Sequence, residues 1–354
     1  MEPNSLSGQA KSWLEQLKGD EKKVVKKLER VLLEIRIPHH RSRENEQPQP
    51  LKEQVAVAEQ LFQALHSIYR GGLTARIFEQ DSISFEIAAA NGQIGWYVGV
   101  PLHLQSLIEK QIHAYYPAAE ITPVPVYNIF SKQGYVAATS LAFQKKNLFP
   151  IRTYQDFEAD PMAAVVSALS KVNDDEGAVI QIMIAPAGNG WRSKGQALAR
   201  QYAQGKSGTG GSTGGKVFGG IFKFGGELMS AATADQKKDA ASAKGVKLLP
   251  LKKDAASPAR GDEPRKLTQA EEEYVEKIEQ KAGKVGYEVV IRAIAAAPDR
   301  GMAETNLQTI TRAFAAYNTP DLNGFKEIVG PVSSQGKLVT KYIFRDLEGA
   351  GKKM

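Results

Sequence analysis

Apolar positions recur along the chain with two spacings, near 3.6 and near 2, and the switches between them mark out elements. Trp13, Leu17, Val24, Leu28 and Val31 share one stripe and predict an amphipathic helix over 10–31, with Lys22, Lys23, Lys26 and Lys27 on its other faces. LEIRIP at 33–38 predicts a short strand ended by Pro38, and 39–50 a polar loop. Val55, Ala58, Phe62, Leu65 and Ile68 predict a helix, broken by Gly71-Gly72. Ile83, Phe85 and Ile87 alternate with Ser84 and Glu86 as in a half-buried strand. Asn91-Gly92 then gives a hairpin turn into a strand at 94–100. Pro101 suits the first turn of a helix that buries Leu104, Leu107, Ile108, Ile112 and Tyr115 and stops at Pro117. Strands at 121–126 and 136–143 follow.

The same order then repeats. Asp160 and Pro161 read as the cap and first position of a helix carrying Met162, Val165, Val166 and Leu169. Ile180, Ile182 and Ile184 predict a strand whose partner, 287–294, comes about a hundred residues later. A helix with Ala303, Leu307, Ile310, Phe314 and Tyr317 and a final strand at 338–344 complete the repeat. The pattern predicts an α+β fold of two similar lobes of split β-α-β (ferredoxin-like) type. The second lobe carries a helical-hairpin insertion: Trp191 to Ala203 reads as one helix, and the capping box Thr268-x-x-Glu271 opens the other. Between them, 205–266 is rich in Gly, Ala and Lys and too poor in apolar residues to fold alone, so a flexible linker is expected. The expected divisions are 1–50 (N-terminal helix, strand and loop), 51–155 (first lobe), 156–204 and 267–354 (second lobe), and 205–266 (linker).

Composition narrows the function classes. There is no cysteine, which excludes disulfides, thiolate metal sites and a cysteine nucleophile. No apolar run of about 18 residues and no apolar signal core appear, so a cytoplasmic location is expected, with peripheral contact at the inner membrane as an option. A net charge of +7 permits anionic partners such as DNA or lipid headgroups.

Candidate chemistry is sparse. Residues 210–216 (GGSTGGK) have P-loop spacing, but Val217 stands where Mg²⁺ coordination needs a hydroxyl, and no strand precedes them. The Gly-x-Ser-x-Gly match at 210–214 likewise lacks the strand and helix of a nucleophile elbow. Trp191, Arg192 and Lys194 follow a Gly-Asn-Gly turn and could stack on a base or hold a phosphate or partner, though a tryptophan anchoring its helix to the sheet is the commoner use. His39, His40, His66, His103 and His113 show no metal-ligand spacing. Asp174, Asp175 and Glu176 read as a solvated turn. The first helix, and 214–229 with Phe218, Ile221, Phe222 and Phe224, could each lie on an anionic membrane. No catalytic group, cofactor or metal is expected, and the chain reads as non-enzymatic.

Several blocks in order carry a resemblance: LEIRIP (33–38), VAVAEQLFQALHSIY (55–69), SISFEIAA (82–89), VPLHLQSLIEKQIHAYYPAAEI (100–121), LFPIRTYQDFEADPMAAVVSALSKV (148–172), IQIMIAPAGNGWRSKG (180–195), KAGKVGYEVVIRAIAAAPD (281–299) and YIFRD (342–346). Together they resemble the N-terminal domain of unknown function that precedes the HerA/FtsK-like motor in type IV secretion-like, conjugative DNA-transfer ATPases. The resemblance implies a scaffold or adaptor role beside a P-loop transfer ATPase, within an oligomer. It implies no ATP hydrolysis here, because the motor is absent; the chain is then a detached half or a truncated piece. A direct nucleic-acid binder using the basic linker is the alternative.

Overall fold

Eight strands make one antiparallel sheet, in the order β4-β1-β3-β2-β6-β7-β5-β8. The computed structural model describes residues 29–38, 51–71, 80–130, 134–204, 267–328 and 332–347. In chain order the elements are β1 (Arg30–Arg36), α1 (Leu51–Leu65), β2 (Ile83–Ala90), β3 (Gln93–Pro101), α2 (Gln105–Tyr115), β4 (Glu120–Val124), β5 (Tyr135–Phe143), α3 (Met162–Leu169), β6 (Gly177–Pro186), α4 (Gly190–Ala203), α5 (Gln269–Gly283), β7 (Tyr287–Ala297), α6 (Arg300–Ala313), β8 (Phe325–Ile328) and α7 (Val332–Ile343).

The strands of the two expected lobes belong to a single sheet. β2 of the first half pairs with β6 of the second, from Ile83 opposite Ile184 to Ala90 opposite Gly177. Each half runs β-α-β-β-α-β, and in each the outermost-to-innermost order is fourth, first, third, second strand. The first half joins its middle strands by Asn91 and Gly92, whose φ values of 51° and 70° suit a type I′ turn. The second half places α4 and α5 at that point, between β6 and β7. Residues Arg192–Gly283 form a compact unit of their own. Its described part packs Ala199 of α4 on Val275 and Ile278 of α5, and the Thr268–Glu271 capping box is formed.

Side-chain alternation gives the sheet two unlike faces. On the first, α1 and α2 bury Leu61, Leu65, Ile108 and Ile112 on Ile83, Val98, Val100 and Ile184. Farther along that face, α3 and α6 bury Val165, Leu169, Leu307 and Ile310 on Ile180, Ile291 and a run of small residues, Ala137, Ala293 and Ala295. Each such Leu or Ile contributes about 1.5–3 kcal/mol. Asp160 accepts the Met162 amide at 2.8 Å, and Asp299 caps α6 through the Gly301 and Met302 amides. On the second face α7 lays Val339 and Tyr342 on Ala88, Ala138, Val179 and Ile294.

Several expectations change. The final strand at 338–344 is instead helix α7: Leu338, Thr340 and Tyr342 alternate in sequence, yet the buried pair is Val339 and Tyr342, three apart, as one helical face requires. The last strand is β8, four residues mostly exposed at the sheet edge, too short and too polar to show a period. Arg30 and Val31 begin β1 rather than ending a helix, and the rest of the predicted 10–31 helix lies outside the described residues, except Glu29. Pro101 closes β3 before a 3₁₀ turn at Leu102–Leu104, because its fixed φ also suits a strand end. The polar loop 39–50 and the linker 205–266 lie outside the described residues too.

Candidate functional site

The second face carries charges where the first carries apolar side chains. Glu86 on β2 stands opposite Gln181 on β6, which stands opposite Arg292 on β7, so three central strands present a polar row. All three are buried, at 2%, 0% and 1% exposure. Gln181 bridges its neighbours: Nε2 donates to Glu86 Oε1 at 2.9 Å, and Oε1 accepts from Arg292 Nη1 at 2.8 Å.

The turn after α7 completes this ladder. Asp346 N–H donates to the Lys341 carbonyl and Arg345 N–H to that of Tyr342, the pair of bonds of a Schellman helix end. The left-handed position of that motif usually holds glycine; here Arg345 occupies it with φ 50°. Its guanidinium grips Glu86 in two-pronged fashion, Nε to Oε1 at 2.9 Å and Nη2 to Oε2 at 2.9 Å. The side chain passes over Gly99, where a Cβ would stand 2.8 Å from Arg345 Cδ. Gln181 Nε2 also donates to the Tyr342 carbonyl at 3.1 Å, and Arg292 Nη2 donates to that of Asp346. Tyr127, stacked on Tyr97 with ring centroids 4.6 Å apart, donates its hydroxyl to Glu86 Oε2 at 2.7 Å.

Burial, and next the Glu86 charge, push the Tyr127 hydroxyl well above its ordinary pKa. Burial lowers Arg292 to about 10 against the pull of Asp346 and Glu86. Burial also lowers Arg30 to about 10, helped by the like charge of Arg345. For Arg345 burial acts downward, but the Glu86 charge and hydrogen bonds outweigh it and its pKa rises. Both oxygens of Glu86 therefore accept two hydrogen bonds each, from Gln181 and Arg345 and from Tyr127 and Arg345. A carboxylate filled in this way holds structure; it has no lone pair left to take a substrate proton.

A second cluster lies at the start of β2. Asp81, 8% exposed, accepts from Arg70 Nη2 and lies 3.1 Å from His103 Nε2. Arg30 donates to the Ser82 carbonyl at 3.1 Å and hydroxyl at 2.7 Å. Gln80 ties the same segment to Ile68 and Arg70. These bonds pin the two ends of the 72–79 connection.

Trp191, at the start of α4, rests its indole on Gly286, where a Cβ would meet Nε1 at 2.2 Å. Arg192 is half-buried and Lys194 exposed. His66 Nε2 lies 3.2 Å from the Ala187 carbonyl and its ring stacks on Tyr69; His113 is exposed on α2. Glu176 departs from the solvated-turn expectation: it is 5% exposed and accepts from the Asn173 amide and Asn306 Nδ2, both at 3.0 Å, fixing the turn to α6. The Gly-rich 210–216 match, His39 and His40 lie outside the described residues, as do both proposed membrane-surface segments apart from Glu29 to Val31. Among the described residues no group of three or more His, Asp or Glu could hold a metal ion, and no helix is long and apolar enough to cross a membrane.

None of Glu86, Gln181, Arg292 and Arg345 stood out in sequence. The available signal was the strand text itself. AVIQIMIA and VVIRAIAA are apolar at both phases, which marks strands covered on both faces. A lone Gln or Arg inside such a run must be buried, and so must be paired.

Comparison with curated proteins gives no match. The profile of a domain of unknown function, DUF8128, matches residues 38–341, well over half of the 354 residues, and the chain belongs to that family.

Proposed function

We propose that the chain is a non-catalytic scaffold or adaptor module serving a transfer ATPase of the type IV secretion-like or conjugative kind. One observation carries this reading: three buried charged groups, Glu86, Arg292 and Arg345, all serve to fix α7 and the turn after it on the sheet. Such a module positions surfaces and does no chemistry of its own. The ordered sequence blocks from 33 to 346 direct the choice of machine. In this role the protein acts at the cytoplasmic face of the membrane, in an oligomer with its motor. The test is affinity capture with the tagged full-length chain from its native host, read by mass spectrometry alongside its mass in solution. Recovery of a P-loop motor supports the role; a monomer that captures no ATPase overturns it.

A second reading, direct nucleic-acid binding, is favoured by charge placement. Residues 205–266 hold twelve Lys or Arg against six Asp or Glu, so this stretch carries nearly all of the net +7. Binding to single- or double-stranded DNA that weakens steeply with salt is then expected. Absent or salt-insensitive binding removes this reading.

A further inference from the structure

We propose that α7 and the turn after it form a strap that opens as a unit from a sheet that stays folded, with Arg345 as its catch. Three observations lead there. First, the ladder beneath keeps part of its pairing without the strap, although Glu86 gives up both Arg345 bonds, Gln181 the Tyr342 carbonyl and Arg292 the Asp346 carbonyl. Gln181 bridges Glu86 and Arg292 at 2.9 and 2.8 Å, and these two end groups carry opposite charges. The strap adds Arg345 and Asp346, also of opposite charge, so the face is balanced open or closed. A buried charge stripped of its partner would normally forbid opening; here Glu86 keeps Gln181 and Tyr127, and Arg292 keeps Gln181.

Second, the apolar grip of α7 is small. Among the described residues, Val339 and Tyr342 are its buried apolar side chains on this face, with Leu338 partly buried beside them, over Ala88, Ala138, Val179 and Ile294. α6 by contrast buries Ala303, Leu307 and Ile310 in the larger cluster. Segments with few buried apolar contacts open at lower free energy than the global transition. Third, Arg345 keeps a left-handed backbone where glycine is usual, and what it gains is the two-pronged bond to Glu86. Strain held by one ion pair at the end of a lightly packed helix is the construction of a latch. Opening uncovers the floor of Ala88, Ala138, Val179 and Ile294, so access to that floor is governed by the Arg345–Glu86 pair.

Native-state hydrogen exchange on the full-length chain tests this. In the wild type, amides of 336–343 are expected to exchange through an opening that responds weakly to denaturant, while those of β6 and β7 exchange only with the strong dependence of global unfolding. Arg345→Gln is expected to speed the α7 amides by about ten- to a hundredfold, the scale of one lost charged hydrogen bond. The bond is absent both in the opened strap and in the unfolded chain, so the β6 and β7 amides should speed by a similar factor while keeping their stronger denaturant dependence. Glu86→Gln, which keeps the shape and removes the charge, should act in the same direction. If α7 exchanges together with β6 and β7 and with the same denaturant dependence in the wild type, or Arg345→Gln leaves the α7 amides unchanged, the strap does not exist. Should neither variant fold, the wild-type denaturant dependence alone decides.

Discussion

The two faces of the sheet are built on opposite principles. The first is closed by α1, α2, α3 and α6 with aliphatic side chains over an aliphatic and alanine-rich surface. The second is closed by α7, whose described apolar side chains there are Val339, Tyr342 and the partly buried Leu338, together with Ile129 and a row of buried charges. Apolar packing is non-directional and tolerates repacking. A buried ion pair adds little net stability, because desolvation offsets attraction, yet it accepts one geometry only. The first face therefore supplies most of the folding free energy, and the second supplies the placement of one helix.

The sharpest way to break this contrast is to remove one charge. Glu86→Ala leaves Arg345 and Arg292 buried around a hole and is expected to destabilise by about 3–5 kcal/mol, read by chemical denaturation. Replacing Glu86 and Arg345 together by Leu should lose far less, and a double variant as unstable as Glu86→Ala would show that the pair stabilises rather than specifies. On the first face Ile310→Ala leaves a cavity between α6 and the sheet, at an expected loss of about 2–4 kcal/mol. No second substitution of a neighbour should restore it, apart from one that refills the volume.

Arg345→Gly separates the two parts of the latch. Glycine relieves a left-handed residue, worth about 1 kcal/mol, but deletes two charge-assisted bonds, worth about 1.5–3 kcal/mol. A net loss of about 0.5–2 kcal/mol is expected as the difference of those terms. A gain in stability would mean that the Glu86 contact contributes nothing.

How far the sequence reveals each face follows from the same contrast. Helix and strand periods are the record of apolar burial, so β2, β3, β6, β7, α2, α3 and α6 all appear in the text, and the Asn91-Gly92 turn and the long-range pairing of β6 with β7 can be read from it. The second face leaves no period. Glu86 occupies the polar phase of an ordinary half-buried strand, and only the arrival of Arg345 from 259 residues away makes it a core residue. The helix that brings Arg345 is rich in β-branched and aromatic residues and imitates a strand over 338–344. The joining of two half-sheets through β2 and β6 is also silent, because a strand edge that pairs and one that does not can carry the same side chains.

The α4–α5 hairpin offers a third case, a half-buried cation whose setting is neither of the two faces. Burial lowers the Lys281 ammonium to about 8 from its ordinary 10.5. Because the folded value lies below the unfolded one, the unfolded chain binds more protons between these two values. Stability should accordingly rise as pH climbs from about 8 to about 10.5, and below pH 8 the penalty is constant. Lys281→Met keeps the length of the side chain and removes the charge. It should raise stability at pH 7 by about 1 kcal/mol, discounted for the partial solvent access of a lysine head group. It should also flatten the rise above pH 8, measured by urea denaturation in a pH series. If Lys281→Met lowers stability at pH 7 instead, the contacts of the ammonium outweigh the cost of burying it, and this unit too is held by directional polar contacts of the kind found under α7.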